Sequence, residues 1–161
     1  MIFVICGTQK FQFDRLIKAL DDQVSKGLIP SEVFAQIGGG DYKPSCFPFV
    51  QFMDDSLFKE KISEASLIIT HSGTGSIINS VKAGKKVIVV PRLEKYGEHV
   101  SDHQVQIADM FEKAGLVKVC LDTDELYKIV SSMDSFAPKE YHSNTEHVLH
   151  VLDRDLQALV R

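Results

Sequence analysis

The residues of this 161-residue chain best suited to chemistry stand in one short run, His71-Ser72-Gly73-Thr74-Gly75-Ser76. Before it lies Leu67-Ile68-Ile69, too short an apolar run for a helix and β-branched enough for a buried strand. After it, Ile77, Ile78 and Val81 recur at helical spacing. A strand, a glycine turn and a helix N-terminus in that order put unpaired N–H groups and a partial positive charge beside the turn, which suits a phosphate. The P-loop pattern Gly-x-x-x-x-Gly-Lys-Ser/Thr is absent, and Ile78 stands where a dinucleotide fold has its third glycine. ATP hydrolysis and NAD chemistry are thereby disfavoured. The plainer reading is that both glycines only shape a tight connection.

A second cluster follows Val87-Ile88-Val89-Val90 and Pro91. It is a polar loop carrying Arg92, Lys95 and Glu98, and it leads into Asp102-His103-Gln104 at the start of another helix. Arg92 there could offset charge developing on a leaving group; the plainer expectation for such a loop is a solvated surface. His99 and His103 are four residues apart without a third ligand, so no zinc site is expected. His71 ends its strand at the turn, where it either fixes the turn or touches a ligand. No residue stands out as a general base.

The elements that position these groups alternate regularly. Ile2 to Ile5 reads as the first buried strand and ends in Gly7-Thr8-Gln9; Phe13, Leu16, Ile17, Leu20 and Val24 then form one helical stripe closed by Gly27. Val33 to Ile37 is the second strand, and Gly38-Gly39-Gly40-Asp41 after it is expected to be a flexible surface loop. A third strand is expected over Phe47 to Phe52, then a helix capped by Asp54 with Leu57, Phe58 and Ile62 inward. Beyond Gly84 come the strand ending at Val90, a helix over Asp102 to Ala114, a sixth strand over Leu116 to Cys120 and a helix from Asp122 or Thr123 through Met133. This alternation specifies an α/β fold, a Rossmann-like doubly wound parallel sheet with helices on both faces. Ligands of such sheets sit outside the strands' C-terminal ends, so Gly7-Thr8, the 72–76 turn and the 92–104 segment share one rim.

One domain accommodates this length, over residues 1–140, followed by a tail at 141–161. Val148, Leu149, Leu152, Leu156, Leu159 and Val160 place an amphipathic helix in that tail, packed on its own domain or docked on a partner. The net charge of −4 disfavours a nucleic-acid surface. Three cysteines without a C-x-x-C pair fit a reducing compartment, and no signal peptide or membrane span is expected. The expected location is therefore cytoplasmic.

With all three blocks in view, the chain resembles the donor-binding C-terminal domain of glycosyltransferase family 28. The residues that carry the likeness are His71 to Ser76, Gly84-Lys85-Lys86-Val87-Ile88-Val89-Val90-Pro91 and Tyr96-Gly97-Glu98-His99-Val100-Ser101-Asp102-His103-Gln104, within a similarity running from Ile2 to about Val117. The likeness is greatest to the small catalytic subunits of two-component sugar transferases, the last block resembling those of bacterial exopolysaccharide or capsule synthesis. It implies the C-terminal half of a GT-B fold. A UDP-sugar would lie with its diphosphate on Gly7, Thr8, Ser72, Gly73, Thr74, Gly75 and Ser76, its uracil at Phe52 and Met53, and its sugar at Gln104, His103 and Glu98. Core packing is the alternative for Phe52. His71, Arg92 and His103 are the candidates for catalytic contacts. Many relatives bind the ribose with a glutamate on the helix after the glycine turn; Asn79 stands there instead and lacks charge assistance. The resemblance further implies a hexose or N-acetylhexosamine transferred to a lipid-linked acceptor, without cofactor or metal, the base and acceptor site coming from a membrane-associated glycosyltransferase subunit. A homodimer of the isolated chain stays open. The rival readings are a non-catalytic nucleotide-sugar module and a Rossmann-like enzyme using another nucleotide.

Overall fold

The computed structural model describes residues 1–142. Six parallel strands form one sheet: β1 (Ile2–Ile5), β2 (Val33–Gln36), β3 (Phe49–Val50), β4 (Leu67–Thr70), β5 (Lys86–Val89) and β6 (Lys118–Val119), in the order β3-β2-β1-β4-β5-β6. The helices are α1 (Asp14–Ser25), α2 (Asp55–Glu64), α3 (Thr74–Lys82), α4 (His103–Lys113) and α5 (Leu126–Ser132). Successive side chains of a strand face opposite ways, which splits the core in two. Ile2 and Val4 join Leu16, Leu20 and Leu126 under α1 and α5, whereas Phe3 and Ile5 join Ile62, Ile77 and Phe111 under α2, α3 and α4. Strand order reverses between β1 and β4, so the crevice at their C-terminal ends is where such a sheet takes a ligand.

Local signals hold where they are strong. The stripe from Phe13 to Val24 becomes α1, and Gly27 takes a left-handed φ of +69° just past its end. Asp54 Oδ1 accepts the Leu57 N–H at 2.8 Å as the cap of α2.

Five expectations are corrected. The third strand keeps only Phe49–Val50 and the sixth only Lys118–Val119, because each is an edge strand with one neighbour to pair with. The helix expected through Met133 begins at Leu126 instead, after a 3₁₀ turn at Thr123–Glu125 capped by Asp122. The 38–40 glycines are not a loose surface loop. Gly38 has φ +63°, and a Cβ there would lie 2.4 Å from the Gly7 carbonyl oxygen; one on Gly40 would lie 2.7 Å from Asp14 Oδ1. Phe52 is 54% exposed, which removes its core-packing alternative. The tail helix expected at 146–161 lies outside the described residues. Cys6 and Cys120 are buried and Cys46 is exposed, all as free thiols.

Candidate functional site

At the strand-order reversal lies an open cleft of about 430 Å³, walled by Gly7, Thr8, Gln36, Met53, Phe58, His71, Gly73, Gly75 and Ser76. Its floor is the N-terminus of α3. Gly73 occupies the cap position with no side-chain cap, so the amides of Thr74, Gly75 and Ser76 have no acceptor among the described residues. Ser72 Oγ, beside them, is buried and likewise has no partner among the described residues. Buried polar atoms are rarely left so. An anion at the turn would occupy the free amides.

The glycines of this wall have separate causes. A Cβ on Gly7 would lie 2.6 Å from His71 Cε1, and one on Gly73 would lie 2.3 Å from His71 Nε2. Gly73 is therefore held to glycine by the imidazole, and Gly7 by the imidazole and by its left-handed φ of +84°. Gly75 has open space where its Cβ would be and no left-handed φ, so no protein neighbour requires it to be glycine. What its missing side chain leaves is room above the helix end.

His71 is held in one form. Its Nδ1 lies 3.3 Å from the Ile5 carbonyl oxygen, an acceptor only, so Nδ1 carries the proton and donates it. Burial first, then the nearby Arg92 cation, lowers its pKa to about 4, and the ring is neutral at pH 7. Nε2 is thus an acceptor on the cleft wall.

Residues 1–154 match the glycosyltransferase family 28 C-terminal domain. The chain belongs to that family. It is 33% identical over 129 residues to the human UDP-N-acetylglucosamine transferase subunit ALG13, covering 74% of this chain and 11% of that protein. The Kluyveromyces lactis protein of the same name is 36% identical over 88 residues, 55% of this chain and 32% of the relative. The chain thus spans between about a tenth and a third of the length of these relatives. Among solved structures, MurG of Acinetobacter baumannii matches with a TM-score of 0.65 at 21% identity, over 95% of this chain and 49% of that one. A solution structure of ALG13 matches with a TM-score of 0.60 at 22% identity, over 94% of each chain.

This family 28 domain distributes the remaining candidates unevenly. Met53 and Thr8 line the cleft, while Phe52 does not, and Asn79 lines a neighbouring groove of about 400 Å³ between α2 and α3. Gly7 has no free amide to offer, since its N–H donates to Gln36 Oε1 at 3.1 Å and its carbonyl accepts from Gln36 Nε2 at 3.0 Å. Gln104, at the start of α4, accepts the amides of Arg92 at 3.0 Å and Ser72 at 3.3 Å on its Oε1, and its Nε2 donates to no group among the described residues. His103 is exposed, with Nδ1 3.4 Å from Gln106 Oε1. His99 Nδ1 is turned to the Ser101 carbonyl and its ring stacks near Phe11.

The charged loop turns inward. Arg92 is 1% exposed and gives its guanidinium to four backbone carbonyls. Glu98, fully buried, accepts from Arg15 Nε and Nη2 at 2.9 and 3.0 Å and from the Leu93 amide at 2.9 Å. Neither is presented to the cleft. The larger opening, about 1110 Å³, lies beyond this loop around Arg15, Tyr96 and Asp122 and contains none of the glycine turn. Gln36 was not among the sequence candidates, and only its place at the end of β2 could have singled it out.

Proposed function

We propose that this chain is the donor-binding subunit of a UDP-sugar glycosyltransferase acting with a second protein. The observation that carries the reading is the uncapped start of α3, with three free amides, an unpartnered buried Ser72 Oγ and an empty space over Gly75. The diphosphate takes those amides, the uracil lies against Met53 and Phe58, and the donor sugar extends toward Gln104 Nε2. As the acceptor hydroxyl attacks the anomeric carbon, negative charge grows on the departing UDP. Fixed donors aimed at that charge lower the barrier, each contributing about 3 kcal/mol in well-studied sites. Neutral His71 keeps Nε2 available to accept a hydrogen bond at the same wall.

Of the carboxylates along the cleft, Asp54 caps α2 and Asp55 pairs with Lys59, and His71, with its pKa lowered to about 4, is a weak base; we assign the group that takes the acceptor's proton to the partner, together with the lipid-linked acceptor. Four of the six exposed large apolar side chains among the described residues support a protein covering this rim: Phe52, Tyr96, Val100 and Leu121 all follow strand C-termini. The relatives' names, transferase subunits, agree. We place the pair at the cytoplasmic face of a membrane, in exopolysaccharide or capsule assembly, with a hexose or N-acetylhexosamine as the transferred group and no metal needed. Among the described residues, no helix is long and apolar enough to cross a membrane.

Thermal unfolding with UDP, UDP-sugars, ADP and NADH, each with and without EDTA, tests the donor site. A ligand at about a hundred times its dissociation constant adds roughly 2.7 kcal/mol. Stabilisation by one UDP-sugar, insensitive to EDTA, is expected; stabilisation by ADP or NADH alone would defeat the reading. Transfer by the co-expressed pair separates a catalytic subunit from a non-catalytic module using the same cleft.

A further inference from the structure

Arg92 is the largest fully buried side chain among the described residues, and it forms no ion pair among them. A buried cation is costly unless every donor is used well. Here Nη1 donates to the carbonyls of Phe11 at 2.7 Å, Gln12 at 3.0 Å and Glu98 at 3.2 Å, and Nη2 to that of Cys6 at 2.6 Å. These carbonyls belong to two irregular stretches, the one joining β1 to α1 and the one joining β5 to α4. The Phe13 ring covers the guanidinium, 5.0 Å away. The residue's own amide reaches the phosphate turn through Gln104 Oε1, which also accepts Ser72 N.

We infer that Arg92 is a positioning residue of the donor site: from inside the rim it fastens the 6–12 segment to the 92–104 segment and, through Gln104, sets both against the start of α3. The inference rests on the donor-site reading for its functional consequence. Its structural content stands on the contacts alone. Ordering irregular backbone costs conformational entropy at every residue, and charge-assisted hydrogen bonds are about twice as strong as neutral ones, so one planar fork offsets part of what the loop residues lose. Lysine has the charge but gathers its donors at a single point, and it does not span four carbonyls set around a plane. Arg92 therefore reaches the ligand only through the loops it holds.

The test uses the full chain, with UDP as the probe. Arg92→Ala leaves a carbonyl-lined hole the size of a guanidinium ion. We expect it to weaken UDP binding by about tenfold or more in calorimetry. Amide hydrogen exchange over residues 8–12 should quicken. Low millimolar guanidinium should restore both, and equal methylammonium should not. Arg92→Lys should resemble Arg92→Ala. UDP affinity within about twofold of the parent, with unchanged exchange in either variant, overturns the inference. So does rescue by methylammonium as effective as that by guanidinium. If neither variant folds, the unaltered protein decides: slowly exchanging Arg92 guanidinium protons in ¹⁵N spectra support the staple, and exchange as fast as in free arginine overturns it. Failure of the parent chain to bind UDP would strike the donor reading alone, since the exchange measurements need no ligand.

Discussion

The two segments over the cleft divide the work in opposite ways. The 72–76 turn carries no charged side chain, yet its backbone amides stay free and its one buried hydroxyl is unpartnered. The 92–104 segment carries Arg92 and Glu98, and both spend their charge inside the protein on carbonyls, an amide and Arg15. A ligand in this cleft would therefore meet backbone dipoles first, while the ionic groups act as framework. Charge in a loop near a site is weak evidence of contact with the ligand. Unspent hydrogen-bonding capacity is stronger evidence.

Removing a framework partner should have the largest effect. Arg15→Met leaves the fully buried Glu98 carboxylate without its cation and should cost about 3–5 kcal/mol in denaturant unfolding, whereas Glu98→Gln should cost clearly less. A small cost for Arg15→Met would mean that the loop is not built around that pair. Acid comes next. His71 has a pKa of about 4 in the folded state and about 6.5 when unfolded, so between these values the unfolded chain binds more protons. Its share of stability, about 3 kcal/mol, is fully present above pH 6.5 and is lost as pH falls toward 4. In His71→Gln that part of the pH dependence should vanish.

Gly73→Ala should cost about 2 kcal/mol through collision with the imidazole. His71→Ala in the same chain should recover most of that cost; additive losses would show that the ring is not the obstacle. The smallest effect on folding is the sharpest test of the contrast. Gly75→Ala meets open space and sits in a helix's first turn, so stability should hold within about 1 kcal/mol or rise. UDP affinity, read by calorimetry, should nevertheless drop, because the added methyl group stands where the ligand approaches. Unchanged affinity would return Gly75 to a purely structural role.

Much of this was legible in the chain. Short β-branched runs separated by helical stripes specified the sheet, and the glycine run between β4 and α3 pointed to the helix start whose amides stay free. The misreadings share one cause. Arg92 looks like a solvated or catalytic loop residue because three of the four carbonyls it serves belong to residues 6, 11 and 12, some eighty positions earlier. The 38–40 glycines look loose because their close neighbours, Gly7 and Asp14, also come from an earlier part of the chain, before β2. Spacing along the chain records what an element does for itself. It does not record who arrives from elsewhere to fill the space beside it.

The three thiols carry a practical consequence for measuring any of this. Burial pushes Cys6 and Cys120 up to about 12, so at mildly alkaline pH they remain protonated and unreactive, while Cys46 stands at the surface. Its backbone is anchored, the Cys46 N–H donating to Asp21 Oδ1 at 2.8 Å on the flank of α1. A maleimide dye would therefore attach at one fixed point of the native chain with no cysteine replaced, giving a fluorescence reporter for partner docking on the unaltered sequence.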